Sequence, residues 1–328
     1  MALEPGMISV AEQKHMLMLT ASTQAVNTWI TKGGSMVPVG AVADHIRIDD
    51  SLPIYFPGTY SFIEQGTEKW GTLPPFGDQF LFVHMAYSYI KEVEDLSILT
   101  DKINGLSLLD RLALSIQVPP AEPVDHLVFA SESFRDAIQM TGKLLFPSLL
   151  KYRAAKELSE IYSLIEDEKE SIKYQQMAEK IKEAIPKVFN DDSGFLKAST
   201  RQSSQPDVWG TSLAVYLGVL DGENLAHASG VLAAAYEKGV ISYRGNIRHV
   251  PLDHDFDESH VWEKSLVAKD TYQNGAYWGT PTGWVAFAIH FSNPQLAQRL
   301  AMEYLAELKA NDFRKGESFG APYECFDK

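Results

Sequence analysis

The chain has 328 residues, 45% of them hydrophobic and 22% charged, enough to bury a large core without disulfide or metal staples and too apolar for disorder. Its 29 Lys and Arg against 43 Asp and Glu leave a formal charge of −14, a surface that repels phosphate backbones and anionic membranes and so excludes nucleic-acid and membrane partners. The one cysteine, Cys325, excludes an internal disulfide and a cysteine-based zinc or iron–sulfur centre within one chain. The first helix is expected over Val10–Ile30. Gly33 to Pro75 follows as a long connection punctuated by Gly33-Gly34, Pro38, Pro53, Pro57-Gly58 and Pro74-Pro75. Phe76 to Val93 carries Phe80, Leu81, Phe82, Val83, Met85, Tyr87, Ile90 and Val93, apolar nearly all round, as in a helix buried on most sides.

Ser97–Ile116 is the next expected helix, and Gln117 to Met140, with Pro119-Pro120 and Pro123, the next loop. Leu150, Ala154, Leu158, Ile161 and Ile165 fall on one stripe, with Lys151, Arg153, Lys156, Glu157 and Glu160 around it. Ile172, Met177, Ile181 and Ile185 repeat the pattern, which should stop at Pro186. The turn Glu166-Asp167-Glu168 makes the two a helical hairpin. Val208–Leu220, Asn224–Lys238, Pro281–Phe291 and Pro294–Lys309 complete the helical set. Buried and amphipathic helices together imply a layered all-α body, and with no clear linker one domain is expected over 1–328. The apolar runs near Gln79–Ala86 and Gly283–Ile289 are too short to cross a bilayer. Met1 to Val10 has no basic region followed by an apolar one, so a signal peptide is not expected in the chain as given; cytoplasm and periplasm fit equally.

The long loops are rich in Tyr, Trp and Phe, which argues for structure and function. Glu132-Ser133-Phe134-Arg135-Asp136 sets two carboxylates and an arginine at a loop-to-helix junction. There a partly desolvated acid can serve as a proton donor, or it can simply cap the helix or pair with Arg135. Asp207, in Gln205-Pro206-Asp207-Val208-Trp209-Gly210, either caps the next helix or, beside the Trp209 indole, accepts from a sugar hydroxyl. Arg248 and His249 lie in a turn where they would orient a polar substrate or neutralise Asp253, Asp255, Asp257 and Glu258. The spacing of His249, His254 and His260 matches no metal motif. Tyr272-Gln273-Asn274-Gly275-Ala276-Tyr277-Trp278 mixes amides with aromatic rings, as sugar sites do and as packed loops also do. Glu324, in Phe319-Gly320-Ala321-Pro322-Tyr323-Glu324, is a carboxylate beside Tyr and Pro, a base or a solvated terminal residue. No phosphate-cradling glycine loop or Gly-flanked nucleophilic serine is present. Loop carboxylates among aromatics fit glycoside hydrolysis, which needs an acid and a base or nucleophile about a sugar ring.

Read in order, these segments resemble the six-hairpin glycosidases, with glycoside hydrolase family 63 and its trehalase and amylo-glucosidase relatives the nearest likeness. Leu73-Pro74-Pro75 leading into the buried helix and Glu94-Asp95-Leu96 ending it look like the family's Gln-Pro-Pro helix and Gly-Asp-Leu turn. Glu132-Ser133-Phe134-Arg135-Asp136 is similar to its Glu-Ser-Gly-x-Asp motif, Tyr272 to Trp278 to its Tyr-x-x-Gly-x-x-Trp segment, and Tyr323-Glu324-Cys325-Phe326 to its Trp-Glu-Asn-Tyr segment. The resemblance implies an (α/α)6 toroid, no cofactor and a small carbohydrate substrate, an α-linked glucoside or related oligosaccharide cleaved with inversion. It makes Asp136 the general acid and Glu324 the general base, with Glu132, Arg135, Asp207, Trp209, Arg248, His249, Gln273, Asn274, Tyr277 and Trp278 around the sugar. The chain departs from the family at Phe134, where it has glycine, and lacks an evident early Trp-Asp motif and a β-rich companion domain. A sugar epimerase of the same toroid type, which would use His249 with a second histidine, and a non-catalytic carbohydrate-binding protein are the alternatives.

Overall fold

The computed structural model describes residues 8–47, 52–56, 64–66, 71–131, 134–135, 137–311 and 323–327. The chain divides into two compact units that alternate along the sequence. One is Met1–Asp136 with Leu150–Ile181, the other Ala137–Leu149 with Lys182–Lys328. Helices carry both, and the strands are only two or three residues long.

In the first unit α1 runs over Val10–Thr23. Ser9 accepts the Glu12 N–H and the Glu12 carboxylate accepts the Ser9 N–H, so two orphan donors of the first turn are satisfied reciprocally. The helix stops seven residues short of the expected Ile30, because Trp29–Ile30 pairs antiparallel with Met36–Val37 and the two strands draw the chain out of helical geometry. α2 spans Phe76–Val93 as expected and buries Phe76, Phe80, Phe82, Val83, Ala86, Tyr89 and Ile90. It ends on Glu94 in the left-handed conformation, φ 56°, with the Glu94 N–H donating to Ile90 O. Glycine takes that position at least strain, and the resembling family has glycine there; this chain holds a glutamate in it.

The helix expected over Ser97–Ile116 is broken. Ser97–Thr100 is a short 3-10 turn, and Lys102–Ile103 pairs with Leu106–Ser107 around Asn104 and Gly105. Both turn residues have positive φ, 48° and 87°, the geometry of a tight hairpin. Only then does α3, Leu108–Ser115, begin, capped by the Ser107 hydroxyl.

α4, Leu145–Leu164, and α5, Glu168–Val188, form the expected hairpin. Ser159 and Ser171 each donate a hydroxyl to the other's carbonyl at 2.9 Å, and Tyr162 stacks on Tyr174 at 5.5 Å. Pro186 does not end α5; it lies inside the last turn, two residues before the end, where the cost of its missing N–H is confined to the fraying terminus.

In the second unit α6, Val208–Tyr216, is buried along nearly its whole length and packs on α8, Thr282–His290; α7, Gly222–Glu237, and α9, Pro294–Ala310, pack on α8 in turn. These four replace the expected Val208–Leu220, Asn224–Lys238, Pro281–Phe291 and Pro294–Lys309 with small shifts at the ends. Beside them is a four-stranded antiparallel sheet in the order β1-β2-β3-β4, made of β1 Ser242–Tyr243, β2 Asn246–Arg248, β3 Tyr277–Trp278 and β4 Cys325–Phe326. The β1–β2 turn passes through Arg244 and Gly245, both at positive φ. A side chain at Gly245 would collide with the Tyr304 backbone of α9.

Candidate functional site

The site is built where β2 meets the start of α6. Pro206 and Asp207 end the preceding loop, and Asp207 is the N-cap: its Oδ1 accepts the Gly210 N–H at 2.6 Å. The Val208 N–H donates to His249 O at 2.9 Å, which ties the residue after β2 to the helix start. His249 Nε2 consequently lies 3.0 Å from Asp207 Oδ1, and both residues are buried. The carboxylate thus caps a helix N-terminus and lies against an imidazole edge at once.

Aromatic rings enclose the pair. Trp209 lies flat on the His249 ring, centroids 4.2 Å apart and planes 7° from parallel. Trp262 meets the same ring edge-on at 4.6 Å, and Trp278 meets Trp209 edge-on at 6.0 Å. Every indole N–H donates to a backbone carbonyl: Trp209 to Ile247, Trp262 to Gln273, Trp278 to Tyr272. The rings are therefore fixed in orientation as well as position. Tyr272 packs against Trp278 at 5.0 Å and keeps part of its surface open.

Two of the expected sugar-binding residues hold the scaffold instead. Arg248 is fully buried and its donors are committed: Nε to Gly275 O, Nη1 to Val250 O and Asp255, Nη2 to Asp255 and Asp270. Guanidinium has five N–H groups and these contacts use them all, so none is left for a ligand. Gly275, at φ 115°, gives the carbonyl that meets Nε, and a side chain there would press on the Arg248 guanidinium. Asn274 is equally engaged. Its Oδ1 accepts the Val261 N–H at 2.8 Å and its Nδ2 donates to Val267 O at 3.0 Å, closing the 261–274 loop. Both residues act on the site by shaping the loop that carries Trp262, Gln273, Tyr277 and Trp278.

The C-terminal motif joins this loop through the sheet. Tyr277 pairs with Phe326 and Trp278 with Cys325, so Glu324 immediately precedes the paired residues and is exposed. The Tyr272 N–H donates to Asp327 Oδ1 at 3.2 Å beyond the other end of β4. Tyr323, Phe326, Tyr243 and Tyr277 form a chain of ring contacts at 5.0, 6.1 and 5.8 Å. Burial, with the Asp327 and Glu324 carboxylates, pushes the Cys325 thiol up to about 11.

Asp136 and Glu132 lie outside the described residues, as does the Arg135 side chain. Trp262, Tyr272, Tyr243 and Phe326 were not among the residues expected to touch the sugar. Their signal in the sequence is aromatic density in the loop and at the chain end; their convergence is a product of strand pairing. Among the described residues no group of three or more His, Cys, Asp and Glu is arranged to hold a metal ion. His254 and His260 pair with Asp253 and Asp257 on an exposed loop. Among the described residues no helix is long and apolar enough to cross a membrane.

No protein-family model and no curated protein sequence matches this chain. Solved structures do. A GH76 α-mannanase from Bacteroides thetaiotaomicron is similar over 97% of this chain and 76% of its own, at 13% identity and a TM-score of 0.50. A GH63 mannosylglycerate hydrolase from Thermus thermophilus is similar over 56% of this chain and 42% of its own (16% identity, TM-score 0.41), and a sialidase over 83% and 22% (14%, 0.45). This chain therefore spans less than half the length of the last two proteins. The mannanase likeness shows the fold alone: helix-rich, of the (α/α)6 type.

Proposed function

We propose that this chain is a glycoside hydrolase that cleaves a small α-linked oligosaccharide with inversion, Asp136 being the general acid and Glu324 the general base. The observation that carries the reading is the pairing of β3 with β4. It joins the Tyr272–Trp278 loop to the Tyr323-Glu324 segment, two motifs whose resemblance assigns them to one sugar site. The six-hairpin fold supports the same reading.

In this mechanism Asp136 donates its proton to the glycosidic oxygen as the C–O bond breaks. Glu324 removes a proton from the water whose oxygen bonds to the anomeric carbon from the opposite face. Inversion requires two carboxyl groups roughly 6.5–9.5 Å apart, with room for that water, and no cofactor. Asp207 and His249 supply a fixed polar edge, and the indoles of Trp209 and Trp278 an apolar wall, against which a sugar's hydroxyls and CH face are held, with the fully buried Trp262 packed behind His249. Gln273 and Tyr277 belong to the same loop and complete the contact.

The test is hydrolysis of aryl and disaccharide α-glucosides and α-mannosides, with the anomer of the first product read by NMR. Release of the β-anomer, and loss of roughly 100-fold or more in kcat for both Asp136→Asn and Glu324→Gln, is the expected result. Release of the α-anomer overturns inversion. Undiminished activity in Glu324→Gln overturns the base assignment.

The exposure of Glu324 favours a second reading, a protein that binds carbohydrate without cleaving it. Oligosaccharide binding by calorimetry with no turnover on the same panel would establish it.

A further inference from the structure

In the first unit, α2 and α4 share a layer of polar side chains with a definite order. Ser88 and His84 are one turn apart on α2, and Ser88 Oγ lies 3.5 Å from His84 Nε2. His84 Nδ1 lies 2.6 Å from Glu157 Oε1 of α4, and Arg153, one turn earlier on α4, donates its Nε to the same oxygen at 3.1 Å. The His84 and Glu157 side chains are 16% and 9% exposed.

Three features set this layer apart from an ordinary interhelical polar contact. First, serine and threonine inside helices usually return their hydroxyl to a backbone carbonyl of the preceding turn. Thr20 does so to Met16 and Ser148 to Leu144; Ser88 instead faces an imidazole nitrogen. Second, an ionised Glu157 holds the proton of His84 on Nδ1. That leaves Nε2, the nitrogen facing Ser88, with its lone pair free to accept. Third, Glu157 Oε2 is buried with no hydrogen-bond partner among the described residues, although Oε1 has two. An unsatisfied buried carboxylate oxygen is costly for a purely structural group. Burial also raises the Glu157 carboxyl to about 7 against the pull of Arg153.

We propose that Ser88, His84 and Glu157 form a nucleophile, base and orienting acid, and that Ser88 is an activated serine reactive toward acyl and organophosphorus esters. Nucleophile and base within reach, with the base oriented by a third group, is the geometry such chemistry requires, and the first contact is commonly loose before a substrate binds. With an acyl ester, Ser88 Oγ bonds to the carbonyl carbon while its proton passes to His84 Nε2. The ester C–O bond then breaks and the departing alkoxide takes that proton. Water repeats the sequence to release the acid and restore the serine.

The experiment is labelling of the full chain at pH 8 with a fluorophosphonate, in which Ser88 Oγ would bond to phosphorus as fluoride leaves and His84 takes the hydroxyl proton. The adduct is mapped by peptide mass spectrometry. Label on Ser88, abolished in Ser88→Ala with an unchanged Tm, is the expected result. His84→Asn should slow labelling by roughly 100-fold. Glu157→Gln, a change at a positioning residue, should shift the pH profile of labelling, which a merely structural role would leave in place. No label, label on another serine alone, or an unchanged rate in both His84→Asn and His84→Gln would overturn the proposal.

Discussion

Trp278 and Cys325 stand opposite each other on adjacent antiparallel strands, so the last residues of the chain are stitched to the aromatic loop. The pairing shields the thiol, and burial with two nearby carboxylates holds it at about 11. At pH 8 its reaction with a disulfide reagent should be roughly a hundredfold slower than that of a free thiol, because only the thiolate attacks. Phe326→Pro removes an N–H from the ladder and should raise that rate. A rate in the native protein equal to that of a free thiol would mean that β4 does not stay paired.

Asp207 combines two duties that substitution can separate. Asp207→Asn retains a side-chain oxygen for the Gly210 N–H, so Tm should hardly move, while the changed charge beside His249 should raise the Kd or KM for a saccharide. Asp207→Ala loses the cap and should cost about 1–2 kcal/mol of stability. Equal thermal losses in both variants would make the negative charge, and not the cap, the stabilising element. Unchanged affinity in Asp207→Asn would remove the residue from the site.

Arg248 meets two carboxylates and two carbonyls from inside the protein. Arg248→Lys keeps the charge but loses the planar fork, and should cost several kcal/mol in chemical denaturation because buried groups lose partners. Arg248→Met should cost about as much or more. A loss of saccharide binding with native stability would instead mean that Arg248 contacts the ligand directly.

Glu157 faces His84 from α2 and Arg153, Lys156 and Glu160 from its own helix, and burial raises its carboxyl from 4.5 to about 7. Between those values the folded protein holds a proton that the unfolded chain has released. Stability should therefore fall as pH rises from 4.5 to 7, by about 1.4 kcal/mol per unit from this group, and level off above 7. Glu157→Gln, which has no proton to lose, should flatten that part of the Tm–pH curve. An identical slope in the variant would assign the dependence elsewhere.

The main helices were legible because their apolar spacing is a local property: the all-round apolar Phe76–Val93 and the striped hairpin of α4 and α5 need no knowledge of what they pack against. The same logic failed over Ser97–Ile116, where two positive-φ residues, Asn104 and Gly105, turn the chain inside an otherwise helical pattern. The candidate site was legible as a set of residue types. Asp207 before a helix, indoles among amides and a carboxylate near the chain end are all readable in one dimension.

Which of those residues meet, and which are already engaged, was decided only in three dimensions. Nothing local distinguishes Arg248, whose donors are used up by Asp255, Asp270 and two carbonyls, from an arginine waiting for a ligand. Nothing local brings His249 under Trp209, or Cys325 opposite Trp278. Composition and apolar period determined the helical class, because burial of a helix face depends on spacing along one segment. The site required the tertiary structure, because two-residue strands and buried ion pairs take their partners from distant parts of the chain.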